Sequence, residues 1–396
     1  MTTHSNTYEG HSFVTPKIQA LPFSGIRKFF DIANEVKDII SLGVGEPDFD
    51  TPWNIREEAI YNLEKGSTMY TSNAGLLPLR QEISQYYIKQ FDVAYDPATQ
   101  VLVTVGASEA IDLALRAILE PGDEVLLVEP CYVSYKPCVI MAGGVPVVIT
   151  TKAEDDFRLT AEAVESRITE KTKAILMCYP NNPTGAIMEK TDLERVADVV
   201  RGRNILVISD EIYGELTYGE RKHVSIASLP GMWGQTLVIN GFSKAYSMTG
   251  WRLGYACGPS DLISAMTKIH QYIIMCAPTT SQYAGIEALK NGAESVAHMR
   301  QDYEARRRVM VNGFRAIGMD CFEPLGAFYV FPSIHRTGLS SEEFCARLLY
   351  EAKVAVVPGT AFGACGEGFV RCSYAYSIDN IKLALGRIGE FMKQFA

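Results

Sequence analysis

Asn240-Gly241-Phe242-Ser243-Lys244-Ala245-Tyr246-Ser247-Met248-Thr249-Gly250-Trp251-Arg252 lies between two apolar runs. Thr236-Leu237-Val238-Ile239 before it reads as a buried strand, and Leu253-Gly254-Tyr255-Ala256-Cys257 after it reads as another. The loop between them carries a lysine beside a serine, with an arginine eight residues on (252 − 244 = 8). A lysine next to buried strands is costly, because its ammonium is desolvated. The cost makes sense if the amine loses its proton and is consumed in a Schiff base. Ser243 and Arg252 would then hold an anion, and a phosphate fits them best.

Further out, five earlier apolar runs, near residues 101, 125, 145, 174 and 205, join the two near 236 and 254. Helical patterns alternate with most of them, which predicts an α/β fold with a mostly parallel seven-stranded sheet. The runs at 326–332, 354–359 and 369–375 predict a second, smaller α+β domain. A helix starting near Phe23, with Ser24 at its cap, and an amphipathic helix over 79–91 are expected. One long helix is expected over 260–290, and a solvated Arg/Glu-rich helix over 295–316.

Several side chains sit where the pattern demands a partner. Gly106-Ala107-Ser108 is a small-residue turn from strand to helix, which leaves free N–H groups at the positive end of a helix dipole. Tyr132 follows the strand end near 128, where open α/β sheets bind ligands, and an aromatic there can stack on a flat ring. Asp210 follows an all-apolar strand and needs a cation, though capping a helix start is its commoner use. Arg371 lies inside an apolar strand and needs a planar anion, unless that strand is an edge facing water. Gly43-Val44-Gly45 lacks the third glycine of a dinucleotide loop, but Gly45 would let the backbone approach a ligand closely.

Composition narrows the class. The 396 residues are 47% hydrophobic and 21% charged, enough for a sizeable core. A net charge of −9 and no basic stripe argue against nucleic acid. Nine scattered cysteines, an odd number without a Cys-x-x-Cys pair, suit free thiols rather than disulfides or a metal site. Neither a signal peptide nor a bilayer-length apolar run is evident, so a cytoplasmic protein away from membranes is expected.

The tail Met248-Thr249-Gly250-Trp251-Arg252-Leu253-Gly254-Tyr255 is more specific than a Ser-Lys pair, which many surface loops carry. With Gly45-Glu46-Pro47-Asp48-Phe49, Asn182-Pro183-Thr184-Gly185 and Asp210-x-x-Tyr213 in the matching order, it resembles the class I, fold type I aminotransferases, which use pyridoxal 5'-phosphate. The resemblance covers about residues 14 to 390. It implies that Lys244 forms the Schiff base and moves the proton, and that Asp210 pairs with the pyridine nitrogen. Asn182 and Tyr213 would bond the cofactor's phenolic oxygen, and Tyr132 would stack on its ring. Gly106, Ala107, Ser108, Ser243 and Arg252 would hold the phosphate, joined by Tyr70 from the neighbouring subunit of a homodimer with shared active sites. Arg371 would clamp the substrate carboxylate beside Gly45 and Asn182. The implied division is 1–47 (N-terminal segment and part of the small domain), 48–295 (large domain) and 296–396 (small domain), with the strand near 254 antiparallel.

The substrates implied are an L-amino acid and a 2-oxo acid, with 2-oxoglutarate expected as acceptor. Some aspartate-preferring members carry a lysine where this chain has Ser108, and Ser24-Gly25-Ile26-Arg27-Lys28-Phe29 resembles members acting on aromatic amino acids or acetylated diaminopimelate. Three other readings remain open: a pyridoxal-phosphate β-lyase acting on C–S bonds, a serine hydrolase built on Ser243, and a non-catalytic regulator. The hydrolase elbow has Ala245 where glycine is expected. The regulator would need a DNA-binding module, for which the N-terminus has no room.

Overall fold

The computed structural model describes residues 13–23, 25 and 38–395. The expected cap at Ser24, and positions 26–30 of the expected first helix, lie outside the described residues. Strands β1 (Ile40–Ser41), β2 (Val101–Thr104), β3 (Glu124–Glu129), β4 (Val145–Thr150), β5 (Thr172–Cys178), β6 (Leu206–Asp210), β7 (Thr236–Gly241) and β8 (Gly254–Cys257) come first. They are followed by β9 (Tyr329–Val330), β10 (Val354–Ala355), β11 (Val357–Pro358) and β12 (Val370–Ser373).

Seven of these form one sheet in the order β2-β8-β7-β6-β5-β3-β4. All neighbours are parallel except β8, which runs antiparallel to both β7 and β2. The expected mostly parallel seven-stranded sheet is therefore present, with its last strand reversed. Alternate residues explain why the strands are apolar throughout. Val125 and Leu127 of β3 face one layer and Leu126 and Val128 the other; Ala174 and Leu176 of β5 oppose Ile175 and Met177 in the same way. A sheet covered on both faces has no polar side to show. The smaller sheets, β1-β10 and β11-β12-β9, are built from strands of only two to four residues.

Two helical expectations need correction. The stretch 260–290 is two helices, Ser260–Ile273 and Thr279–Asn291. Pro278 at the second N-cap cannot continue the first helix and disfavours helical backbone just before it. The helix Ala293–Ala316 is not a solvated element: Val296, Met299, Tyr303, Arg306, Arg307, Met310 and Phe314 are buried along one stripe. Charged neighbours masked that three-and-four spacing, and arginine stems can lie against a core. Arg306 reaches both oxygens of Asp48, at 2.7 and 2.8 Å, and so ties this helix to the segment carrying Gly45.

Candidate active site

The C-terminal ends of β3, β5, β6 and β7 open on one cavity of about 590 Å³. This is where an open parallel sheet leaves room for a ligand. Gly45, Ala107, Ser108, Tyr132, Asn182, Asp210, Tyr213, Ser243, Lys244, Arg252 and Arg371 line it. Twelve residues or more separate most of these groups in sequence, so only the sheet brings them together.

Lys244 stands three residues past β7, and its Nζ donates to the Gly45 carbonyl at 2.7 Å. Burial, then the nearby Arg371 guanidinium, push its ammonium down to about 8. The loop that carries it adopts left-handed backbone at Ser247 and Arg252. Two non-glycine residues in that region are costly, and side chains from elsewhere hold them. Thr51 donates to the Ser247 carbonyl at 2.6 Å and accepts from the Trp251 indole at 2.9 Å; Ser281 donates to the Trp251 carbonyl at 2.8 Å.

Arg252 meets the start of the helix Gly106–Ile118. Gly106 has φ +77°, and a Cβ there would sit 2.7 Å from Arg252 Nη2. Gly254 matters for the same reason: a side chain on β8 at this point would strike the backbone of Gly106 and Ala107. The Trp-Arg-Leu-Gly run thus sets guanidinium, Ser243 and the helix N-terminus around one small space. Ser243, Ala107 and Ser108 all face the cavity there.

Asp210 ends β6 and is buried. Its carboxylate accepts from the Tyr135 hydroxyl at 2.7 Å and from the Ile212 amide at 3.1 Å, both neutral donors. Burial pushes it up to about 6, against the pull of those two hydrogen bonds. Arg371, on β12, is 2% exposed. It donates to Asn182 Oδ1 at 2.9 Å and to the Gly43 carbonyl at 2.5 Å, and its Nε has no partner among the described residues. Its plane lies 4.5 Å from the Tyr329 ring and 4.7 Å from the Phe362 ring. Because Asn182 accepts from Arg371 through its oxygen, its NH2 is left to donate into the cavity. The turn carrying it is braced by Asn181, whose Oδ1 accepts from the Thr184 amide and hydroxyl.

Tyr70 is 78% exposed and does not reach the cavity of its own chain. Among the described residues no histidine lines that cavity to serve Ser243 as a hydrolase base. Among the described residues, no cluster of His, Cys, Asp or Glu is placed to hold a metal ion.

The sequence model described as aminotransferase class I and II matches residues 37–388. The chain belongs to this family. It is an aminotransferase, an enzyme that transfers amino groups. It is 52% identical to a putative aminotransferase of Bacillus subtilis, over 96% of this chain and 98% of that one. It is 46% identical to an aspartate aminotransferase of Pyrococcus abyssi, over 94% and 96%. Among solved structures, the aromatic aminotransferase of Pyrococcus horikoshii superposes with a TM-score of 0.89 at 45% identity, covering 92% of this chain and 99% of that one.

Sequence reasoning missed three groups in this aminotransferase. Tyr135 holds Asp210, as above. The Tyr329 hydroxyl lies 2.9 Å from that of Tyr213, and a Cβ at position 45 would collide with it. Gly45 is therefore required by Tyr329. Thr51 supports the lysine loop. None sits in a motif; a tyrosine opening the helix Tyr135–Met141 looks like any core tyrosine.

Tyr135→Phe should shift the acidic limb of the pH profile of kcat/KM upward by about one unit. The lost bond favoured the ionised carboxylate, so Asp210 would stay protonated to higher pH. An unmoved limb in initial-rate profiles would show that Tyr135 does not set this charge.

Proposed function

We propose that the protein binds pyridoxal 5'-phosphate on Lys244 and moves amino groups from an L-amino acid to a 2-oxo acid, with 2-oxoglutarate as acceptor. Class I and II aminotransferases depend on this cofactor in general. The observation that carries the reading is a set of buried charges that form no ion pair among the described residues: Asp210 is hydrogen-bonded by neutral donors, with Lys244 only a weak Coulombic neighbour, and Arg371 is hydrogen-bonded to neutral acceptors. A buried charge without its opposite is costly, and it persists where a ligand supplies the missing charge. A pyridinium fits Asp210, a substrate carboxylate fits Arg371, and a phosphate fits the space between Ser243, Arg252 and the helix start.

The bound cofactor supplies an aldehyde that links to amines and a ring that withdraws electrons. This chain's residues do the rest. Asp210 would hold the ring nitrogen's proton by a charge-assisted bond. Asn182 and Tyr213 would donate to the ring hydroxyl's oxygen, and Tyr132 would offer an aromatic face to the ring. Arg371 orients the substrate through its carboxylate, aided by Gly45. Lys244 would be the base that takes the proton from the substrate α-carbon and carries it on its Nζ. An amine near 8 is well matched to that exchange at neutral pH.

The clamp accepts any α-amino acid. Ser108 stands where some aspartate-preferring members carry a lysine, which weakens a strict aspartate preference, so an aromatic or long-chain donor fits at least as well as aspartate. A panel of amino donors with 2-oxoglutarate, read by glutamate formed, tests this. Pyruvate and ammonia from cystathionine, with no glutamate from any donor, would indicate β-lyase chemistry instead.

A homodimer with shared active sites is part of the proposal. Exposed Met69 and Tyr70 adjoin exposed Tyr272 to Met275, linked by Asn73 donating to the Met275 carbonyl at 2.8 Å and Thr279 to the Met69 carbonyl at 2.7 Å. A contiguous apolar surface of this kind marks an interface. Light scattering should give twice the chain mass; an active monomer would rule it out.

A further inference from the structure

Behind the turn that faces Ser243 and Arg252 lies a partly buried pair that the proposed chemistry does not use. Glu109 sits in the first turn of the helix Gly106–Ile118, and its Oε2 accepts from the Val105 amide at 2.5 Å. Its Oε1 meets Nδ1 of His270 at 2.8 Å. His270 lies in the last turn of the helix Ser260–Ile273 and is fully buried, and its Nε2 has no partner among the described residues. A carboxylate only accepts, so Nδ1 carries the proton and donates to Glu109.

This placement is odd for a phosphate cradle. Glu109 brings a negative charge within one turn of the amides that would receive a dianion, and like charges repel. Two features turn that liability to use. The carboxylate takes up the Val105 amide, which fixes the backbone where β2 gives way to the helix. The imidazole holds the carboxylate on the far side of that turn and draws off part of its charge. Thr104 adds a third tie, donating to the Gly106 carbonyl at 2.9 Å.

We infer that His270, acting through Glu109, is a positioning residue for the phosphate end of the cofactor site. It sets the Val105–Ser108 turn and keeps the Glu109 charge away from the anion. The inference rests on the reading of that turn as the phosphate cradle, and the experiment separates the two.

Cofactor-free protein is titrated with pyridoxal 5'-phosphate and with pyridoxal, which lacks the phosphate, and each Kd is read from absorbance. Unsubstituted protein should bind the phosphorylated form far more tightly; equal affinities would sink the cradle reading itself. His270→Leu should weaken pyridoxal 5'-phosphate by roughly tenfold or more while leaving pyridoxal within about twofold. His270→Gln, which can still donate to Glu109, should recover most of the loss. If His270→Leu does not fold, His270→Phe, which fills the ring's volume without a donor to Glu109, should show the same phosphate-selective loss. Equal weakening of both ligands would mean a packing role only, and no weakening of either would remove the relay; each overturns the inference.

Discussion

Lys244→Ala should lower kcat by about 10⁴-fold or more, the upper range for loss of a positioned acid–base group, since the same residue also anchors the cofactor. Purified protein should be yellow, and borohydride should trap the cofactor on Lys244, as read by mass spectrometry of peptides. The variant should lose both signals. Trapping that persists elsewhere in the chain, with activity kept, would end the assignment. The effect on folding should have the opposite sign. Lys244 lies near 8 instead of its ordinary 10.5, so below pH 8 its buried ammonium costs stability in the cofactor-free protein. That cost fades as pH rises from about 8 toward 10.5. Cofactor-free Lys244→Ala should therefore unfold at higher urea than the parent at pH 7, and the gain should shrink at alkaline pH.

Arg371→Leu should reduce kcat/KM for every amino donor by roughly 10²–10³-fold, or about 3–4 kcal/mol of transition-state binding. The guanidinium is already fully desolvated and oriented by Asn182, Gly43 and two aromatic rings, so a carboxylate meets a prepared fork. Arg371→Lys should rescue little, because a point charge cannot replace a planar pair of donors. Binding of the cofactor alone should be nearly unchanged. Stability without ligand should shift by about 1 kcal/mol or less: removing an unpaired buried cation is favourable, and leaving Asn182 and the Gly43 carbonyl without a donor is not. A uniform loss of cofactor affinity, stability and activity would show instead that Arg371 is a structural strut.

Much of the site was legible because its chemistry conflicts with its surroundings. Lys244, Asp210 and Arg371 each put a charge beside an apolar run, and such a conflict is visible without coordinates. Gly106 and the Asn-Pro-Thr-Gly turn were legible because special backbone needs special residues; the close packing that requires Gly254 was not. Tyr135, Tyr329, Thr51, Glu109 and His270 were not, since a hydrogen bond between residues dozens of positions apart leaves no local pattern. The helix Ala293–Ala316 was misjudged because its core stripe includes arginines whose partners, Asp48 and Glu323, lie elsewhere in the chain.

Local sequence alone determined the seven strands, the turns that end them and the residue types able to hold an anion, a ring nitrogen and an amine, because backbone preference and burial act over a few residues. The tertiary structure decided which of these meet. The strand order β2-β8-β7-β6-β5-β3-β4 carries the ends of distant segments to one edge, and β12 of a separate small sheet brings Arg371 over them. Only at that convergence do desolvation and neighbouring charge move Lys244 down to about 8 and Asp210 up to about 6, because both depend on what lies across a few ångströms of space and not on what lies next in the chain.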